Sequence, residues 1–275
     1  MALQAAARPD DLPLTKRLGR TLRYNLPAIL LFFGVLIVWE LVASILNLRQ
    51  FILPRPSAIG TALVAEWATL QKAASNTLFE ALGGLGIGVV IGVVVAFAVA
   101  RWAKAREAIL PVAIGISAIP IIAVAPIMSN WFGITNPMAK MAVVVLLVFF
   151  PIMINVARGL SEVDARAIEL MRANAASEGQ ILRKLRLPNA LPYFFTGLKV
   201  ATTLCLIGAV VAEYFGGSSD VLGRVIVQSS SRLRFDITWS AIVVTAVAGI
   251  TFYLLVVVVE RLVIPWHSSL RLLES

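Results

Sequence analysis

Six apolar runs, each long enough to cross a bilayer as a helix, leave this chain few folds to choose from. Crossing the hydrocarbon core takes about 20 apolar residues at a rise of about 1.5 Å each. The runs Leu26–Leu46, Thr77–Ala100, Ala108–Met128, Met138–Ala157, Tyr193–Tyr214 and Thr238–Val263 meet that length. In lipid every backbone N–H and C=O needs an internal partner, so such runs are helices. An apolar share of 59% and a mean hydropathy of +0.89 lie above the soluble range and exclude a soluble domain. The expected fold is all-α, a polytopic membrane protein with six transmembrane helices. The first run is too long for a signal-peptide core. Residues 1–25 therefore read as a basic, flexible lead, 26–266 as the membrane domain and 267–275 as a tail.

The net charge of +9 follows the topology. Of the 24 Lys and Arg residues, sixteen fall in the lead, the second and fourth connections and the tail. Seven, Lys140 at the start of the fourth run among them, count to the opposite side, and Lys199 lies within a span. By the positive-inside rule the first group is cytoplasmic, which puts both termini there. This dispersal argues against nucleic acid as a partner. The single cysteine, Cys205, excludes an intramolecular disulfide and reads as core packing. The single histidine, His267, sits beside Trp266 as an interfacial residue, so neither metal binding nor histidine catalysis has material to work with.

Within the second run Gly84, Gly88 and Gly92 recur every four residues, with Gly83 and Gly86 beside them. Such a ridge lets helix backbones approach closely. It does not fit the phosphate-cradling GxGxxG pattern, which needs a strand before it. The third run carries Pro111, Pro120 and Pro126 and the fourth Pro151, each removing a helical hydrogen bond, so kinks are expected there. A kinked backbone at membrane depth lines a cavity or is buried in protein, which makes Pro120, Pro126 and Pro151 candidates for pathway or gating. Lys199 and Glu213 lie 14 residues apart in the fifth run, close to four turns and so on nearly one face. Two readings stand for them: interface anchors, or a polar pathway stripe. Glu40 reads as an anchor or an interhelical hydrogen-bond partner. Ala58–Leu70 is expected to lie as an interfacial helix. Phe215–Ile237 reads as a glycine-bearing outer loop with Arg224, Arg232 and Arg234, either solvated or meeting a soluble partner.

The polar interval Arg158–Pro192 interrupts the apolar spans and must lie in water. Ser161–Asp164 and Ser177–Gln180 both fit the capping-box pattern, and Pro188 reads as a helix stop. Two short helices with a bend near Ala175–Ser177 are expected, either an ordinary solvated loop or a shape that docks into another protein.

This interval resembles the cytoplasmic loop of bacterial ATP-binding-cassette import permeases, written EAA, three residues, Gly, nine residues, Ile, one residue, Leu-Pro. Glu169 aligns with the glutamate, Leu170 and Met171 with the alanines, Ala175 with the glycine, Leu185 with the isoleucine, and Leu187-Pro188 with the closing pair. The spacing is kept throughout, and identity at Glu169, Leu187 and Pro188. Trp131-Phe132-Gly133, and Ala212-Glu213 followed by Val221-Leu222-Gly223, are similar to the nitrate, sulfonate and taurine branch. The resemblance runs from about Leu53 to Trp266 and implies a type I importer permease, not an enzyme. It implies two copies of a separate ATPase subunit carrying ATP and magnesium, with no cofactor in this chain. It also implies a substrate-binding protein on the outer face, a second permease copy as homodimer partner, and the bacterial inner membrane as location. The stretches TLFEALGGLGIGVVIG and FFPIMINVARGL look most like permeases for riboflavin or pyrimidine vitamin precursors, with nitrate, taurine and sulfonate permeases as near relatives. Independently, the chain has no GxxxxGK[ST] segment, so energy from ATP would have to reach it through a partner. The rivals are an ion-coupled secondary carrier, for which a convincing internal repeat is missing, and a membrane enzyme, for which a catalytic cluster is missing.

Overall fold

The computed structural model describes residues 14–265, leaving aside the side chains of residues 14–25, Ala103 and Arg106. Trp266, His267 and the tail, like Arg8 in the lead, lie outside the described residues. The architecture is helical throughout, with no strand among the described residues. The helices are α1 (Leu14–Ile45), α2 (Pro56–Ala65), α3 (Trp67–Arg101), α4 (Ala103–Ser117), α5 (Ile121–Phe132), α6 (Pro137–Ser161), α7 (Ala165–Ala173), α8 (Glu178–Ile181), α9 (Leu187–Phe215), α10 (Leu222–Ser231) and α11 (Phe235–Val263). Five helical stretches are long and apolar enough to span a membrane, and the α4–α5 pair makes a sixth if its two arms count as one crossing.

That pair departs from the simple span expected over Ala108–Met128. The two arms meet at 96°, the first ending at Ser117 and the second starting after Pro120, which sits at the N-cap of α5. Pro111 and Pro126 are absorbed inside their helices, and α6 stays one helix through Pro151. The first helix begins at Leu14, so its backbone is already helical through the second half of the lead that the sequence leaves flexible.

Three helices form the centre. α3 and α6 run parallel, with Gly84 against Val144, Gly88 against Val148 and Gly92 against Ile152. A Cβ on Gly84 would lie 2.5 Å from Val144 Cβ, and one on Gly88 would lie 2.2 Å from Val148 Cγ2. Only a hydrogen at those positions permits this backbone spacing. α9 runs antiparallel to α6 and makes the same kind of approach, with Gly159 against Ala190, Gly197 against the Pro151 carbonyl and Gly208 against Val144. Cys205 is wholly buried in this core, and its thiol donates to the Thr202 carbonyl at 3.1 Å. Outside the core, α1 and α11 leave most of their apolar side chains exposed.

The α2 helix covers Pro56–Ala65, and the remainder of the expected interfacial helix belongs to α3. Glu40 is an interhelical partner: its carboxylate accepts the Ser57 N–H at 3.0 Å and the Ser57 hydroxyl at 2.8 Å, satisfying a free donor at the start of α2. The stretch read as the outer loop 215–237 contains α10, which buries Leu222, Val225 and Ile226 against α3, α9 and α11.

Candidate functional site

The polar interval folds as α7, α8 and a π-helical turn, Leu182–Arg186, leading into α9. Its first cap differs from the expected box. Ser161 is the last residue of α6, and Asp164 caps α7 by accepting the Arg166 N–H at 3.0 Å. The second box forms: Gln180 N–H donates to Ser177 Oγ at 3.4 Å, and Ser177 N–H donates to Gln180 Oε1 at 2.8 Å. Between them α7 ends in a Schellman turn, in which the Ala176 N–H bonds the Met171 carbonyl at 3.0 Å and the Ala175 N–H bonds the Arg172 carbonyl at 2.9 Å. Ala175 adopts φ +56°, the left-handed conformation that turn requires, at the place where the import-permease motif has glycine.

Pro188 does not stop a helix. It occupies the first turn of α9, and the widened turn before it, closed by Leu187 N–H to Leu182 O, accommodates a proline that lacks a donor and would clash with the carbonyl four residues back. Asn189 then ties the start of α9 to the end of α6, donating from Nδ2 to the Gly159 carbonyl at 2.8 Å and the Glu162 carbonyl at 3.0 Å.

The α7 helix buries none of its residues. Leu170 is 66% exposed, Glu169 is exposed beside it, and Met171 is half-buried. Leu185 is half-buried in the π turn, and Leu187 and Pro188 are exposed at the start of α9. The interval therefore presents a short exposed helix with an apolar residue uncovered, held between the two core helices α6 and α9. Such a helix suits insertion into a groove of another protein.

The two charges of the fifth run occupy separate settings rather than one stripe. Lys199 reaches α11 and forms an ion pair with Glu260, its Nζ 2.9 Å from Oε2 and 3.1 Å from Oε1. Glu213 is wholly buried, and its Oε2 accepts the Gly223 N–H of α10 at 2.6 Å. Each is tied to a neighbouring helix, Lys199 to α11 and Glu213 to α10. Sequence reasoning missed these partners, and it counted Lys140 with the outer-side charges although its side chain is fully buried. The acid Glu260, one turn before the end of α11, was the available signal for Lys199. Pro120 marks the 96° break, Pro126 is exposed in α5, and the Pro151 carbonyl faces Gly197 and accepts from Asn155 Nδ2 at 2.8 Å.

The profile of the family described as "Binding-protein-dependent transport system inner membrane component" matches residues 84–266. The "Probable ABC transporter permease protein" of Haemophilus influenzae is 31% identical, over 82% of this chain and 91% of its own length. The "Formylaminopyrimidine transport permease protein" of Halalkalibacterium halodurans is 28% identical, over 87% of this chain and 95% of its own. Among solved structures, a bacterial ABC transporter involved in the import of the acidic polysaccharide alginate superposes with a TM-score of 0.61, covering 89% of this chain and 98% of that one. At 16% identity it speaks to the fold alone.

Proposed function

Because the chain belongs to the binding-protein-dependent transport system inner membrane component family, we propose that it is the permease subunit of an ATP-driven importer and that α7 is where its ATPase docks. The chain is a multi-pass membrane protein and an ABC importer permease component; the partners, site and cargo are the proposal. The observation that carries it is the exposed α7, with Leu170 uncovered and Glu169 beside it, set between the core helices α6 and α9. In this reading two ATPase subunits hold ATP and magnesium, and each receives the 158–192 interval of one permease copy. Apolar side chains of α7 contribute affinity, and Arg166, Glu169 and Arg172 fix register. Leu185, Leu187 and Pro188 shape the return into α9. Two copies form a closed two-fold dimer, and solute delivered by a binding protein passes between them. The broken α4–α5 pair and the backbone around Pro151 are the candidates for gating. The charge asymmetry supports cytoplasmic termini and a cytoplasmic α7 in a bacterial plasma membrane.

For cargo, the likeness to the formylaminopyrimidine permease and to a riboflavin transport system permease supports a small organic solute such as a pyrimidine vitamin precursor or riboflavin. Nitrate, taurine and sulfonates are the competing cargoes. The test is co-purification of the chain with a co-expressed ABC ATPase subunit, together with uptake measured for the wild type and for Glu169→Arg. Association in the wild type and loss of both association and uptake in the variant are expected. Unchanged uptake with Glu169→Arg, or no association with an ATPase, would sink the proposal. Ligand screening of a binding protein that supports uptake through this chain identifies the cargo separately.

A further inference from the structure

At the end of the bundle opposite α7, three ionisable side chains from three helices meet in the interior. Glu80 of α3 is 5% exposed, and Lys140 of α6 and Glu213 of α9 are wholly buried. Each is costly at such depth unless its charge is balanced and its polar atoms are partnered. The start of α10 is built onto this cluster. Leu222 N–H donates to Thr77 Oγ1 at 2.9 Å, and Gly223 N–H donates to Glu213 Oε2. Gly223 has no room for a side chain, since a Cβ there would lie 2.6 Å from both Glu213 Cβ and the Val210 carbonyl.

Two features of the cluster do not balance. The Thr77 hydroxyl, which accepts from Leu222 N–H, can donate to the Glu213 carboxylate, yet Glu80 Oε2 and Glu213 Oε1 are buried without a hydrogen-bond partner, although the two carboxyl groups are within hydrogen-bonding reach of each other. Lys140 does not supply both donors, because its ammonium is directed to the carbonyls of Ile134 and Asn136 in the α5–α6 turn. The charges are also unequal, with one ammonium acting on two carboxyl groups. Arg224 of α10 is the other cation nearby, and its Nε is also buried without a hydrogen-bond partner, but it makes no hydrogen bond to either carboxyl group and the charge interactions of both acids run to Lys140. Lys72 and Asp220, at the adjoining turn, pair with each other at 2.9 Å. One proton corrects both imbalances. It supplies a donor between the two carboxyl groups, and it brings two carboxyls and one ammonium to zero net charge. A metal cation would add charge beside an ammonium that already occupies the cationic place.

We propose that Glu80 and Glu213 bind a single proton between them, forming a buried carboxylic acid–carboxylate pair that, with Lys140, fastens the start of α10 to α3, α6 and α9. The site is a proton-binding site, distinct from the α7 surface. It belongs to the structural frame, because Glu213 reaches no surface of the chain.

The test is infrared spectroscopy of the full-length chain in lipid near neutral pH, where exposed carboxyls are ionised. The wild type is expected to show a protonated-carboxyl carbonyl band that disappears in both Glu80→Gln and Glu213→Gln. In each variant the amide supplies the donor and the remaining carboxylate balances Lys140. Absence of the band from the wild type, as for two carboxylates bridged by water, overturns the proposal, and so does its survival in either variant. Thermal unfolding gives a second reading. Glu80→Gln, which keeps a donor, is expected to melt near the wild type, and Glu80→Leu, which has none, well below it. Equal midpoints for the two variants overturn the proposal as well.

Discussion

Replacing Ala175 by glycine is expected to tighten the turn after α7. Ala175 holds φ +56° because the Ala176 and Ala175 N–H groups reach back to the Met171 and Arg172 carbonyls. A side chain in this left-handed conformation costs about 1–2 kcal/mol, from the approach of Cβ to the following carbonyl. Glycine removes that cost but loses more backbone freedom on folding, worth about 0.5–1 kcal/mol against alanine. The difference favours glycine by about 0.5–1 kcal/mol, or about a two- to fivefold shift in the opening equilibrium of the turn. Amide hydrogen exchange at residues 175 and 176 reads that equilibrium directly. Ala175→Gly is expected to exchange about two to five times more slowly than the wild type, and Ala175→Val, β-branched in a left-handed site, faster. If Ala175→Gly exchanges at the wild-type rate or faster, left-handed strain is not what the turn carries and the reasoning fails.

Gly88→Ala places a methyl 2.2 Å from fully buried Val148 and is expected to destabilise by about 1–3 kcal/mol, with Val148→Ala in the same chain restoring part of the thermal midpoint; no restoration would refute the α3–α6 register. Lys199→Met strands the Glu260 carboxylate at a loss of about 3–5 kcal/mol, and adding Glu260→Met is expected to recover most of it, whereas additive losses would show that the pair is not coupled. The Ser218 hydroxyl, and then the Lys72 ammonium, hold the Asp220 carboxyl at about 2, below its ordinary 3.8. Because the folded value is the lower one, this stabilisation is present above pH about 4 and fades as pH falls through about 2. Carboxyl titration by NMR should give that low midpoint and raise it in Ser218→Ala, and an ordinary midpoint in the wild type would contradict the geometry.

The fold class is legible because lipid leaves the backbone few options: runs of about 20 apolar residues in this composition are helices. The glycine recurrence in α3 is visible in sequence, whereas its partners, Val144, Val148 and Ile152, require knowing that α3 and α6 run parallel. Proline 120 announces a disturbance without its size, since whether a helix kinks or turns through 96° depends on neighbouring packing. The segment Gly216–Gly223 looks like a loop, and α10 behind it was missed because ten residues give little periodicity and its apolar side is covered by distant helices. Lys140 and Glu213 were misplaced for one reason. Their partners, the Ile134 carbonyl and the Gly223 N–H, are backbone groups that carry no side-chain signal. The register of the α7 interval can be read from residue spacing, but its exposure cannot.

Asn189 has a mechanical consequence. By bonding the Gly159 and Glu162 carbonyls it closes the neck of the α7–α8 excursion, so the two strands of chain leaving the core cannot splay apart. A torque applied to α7 would then not be dissipated by opening the neck. It would be delivered to α6 and α9 together, and through the glycine contacts to α3, turning the three as one body. Asn189→Ala should let the excursion swing while leaving those contacts in place, separating grip from transmission.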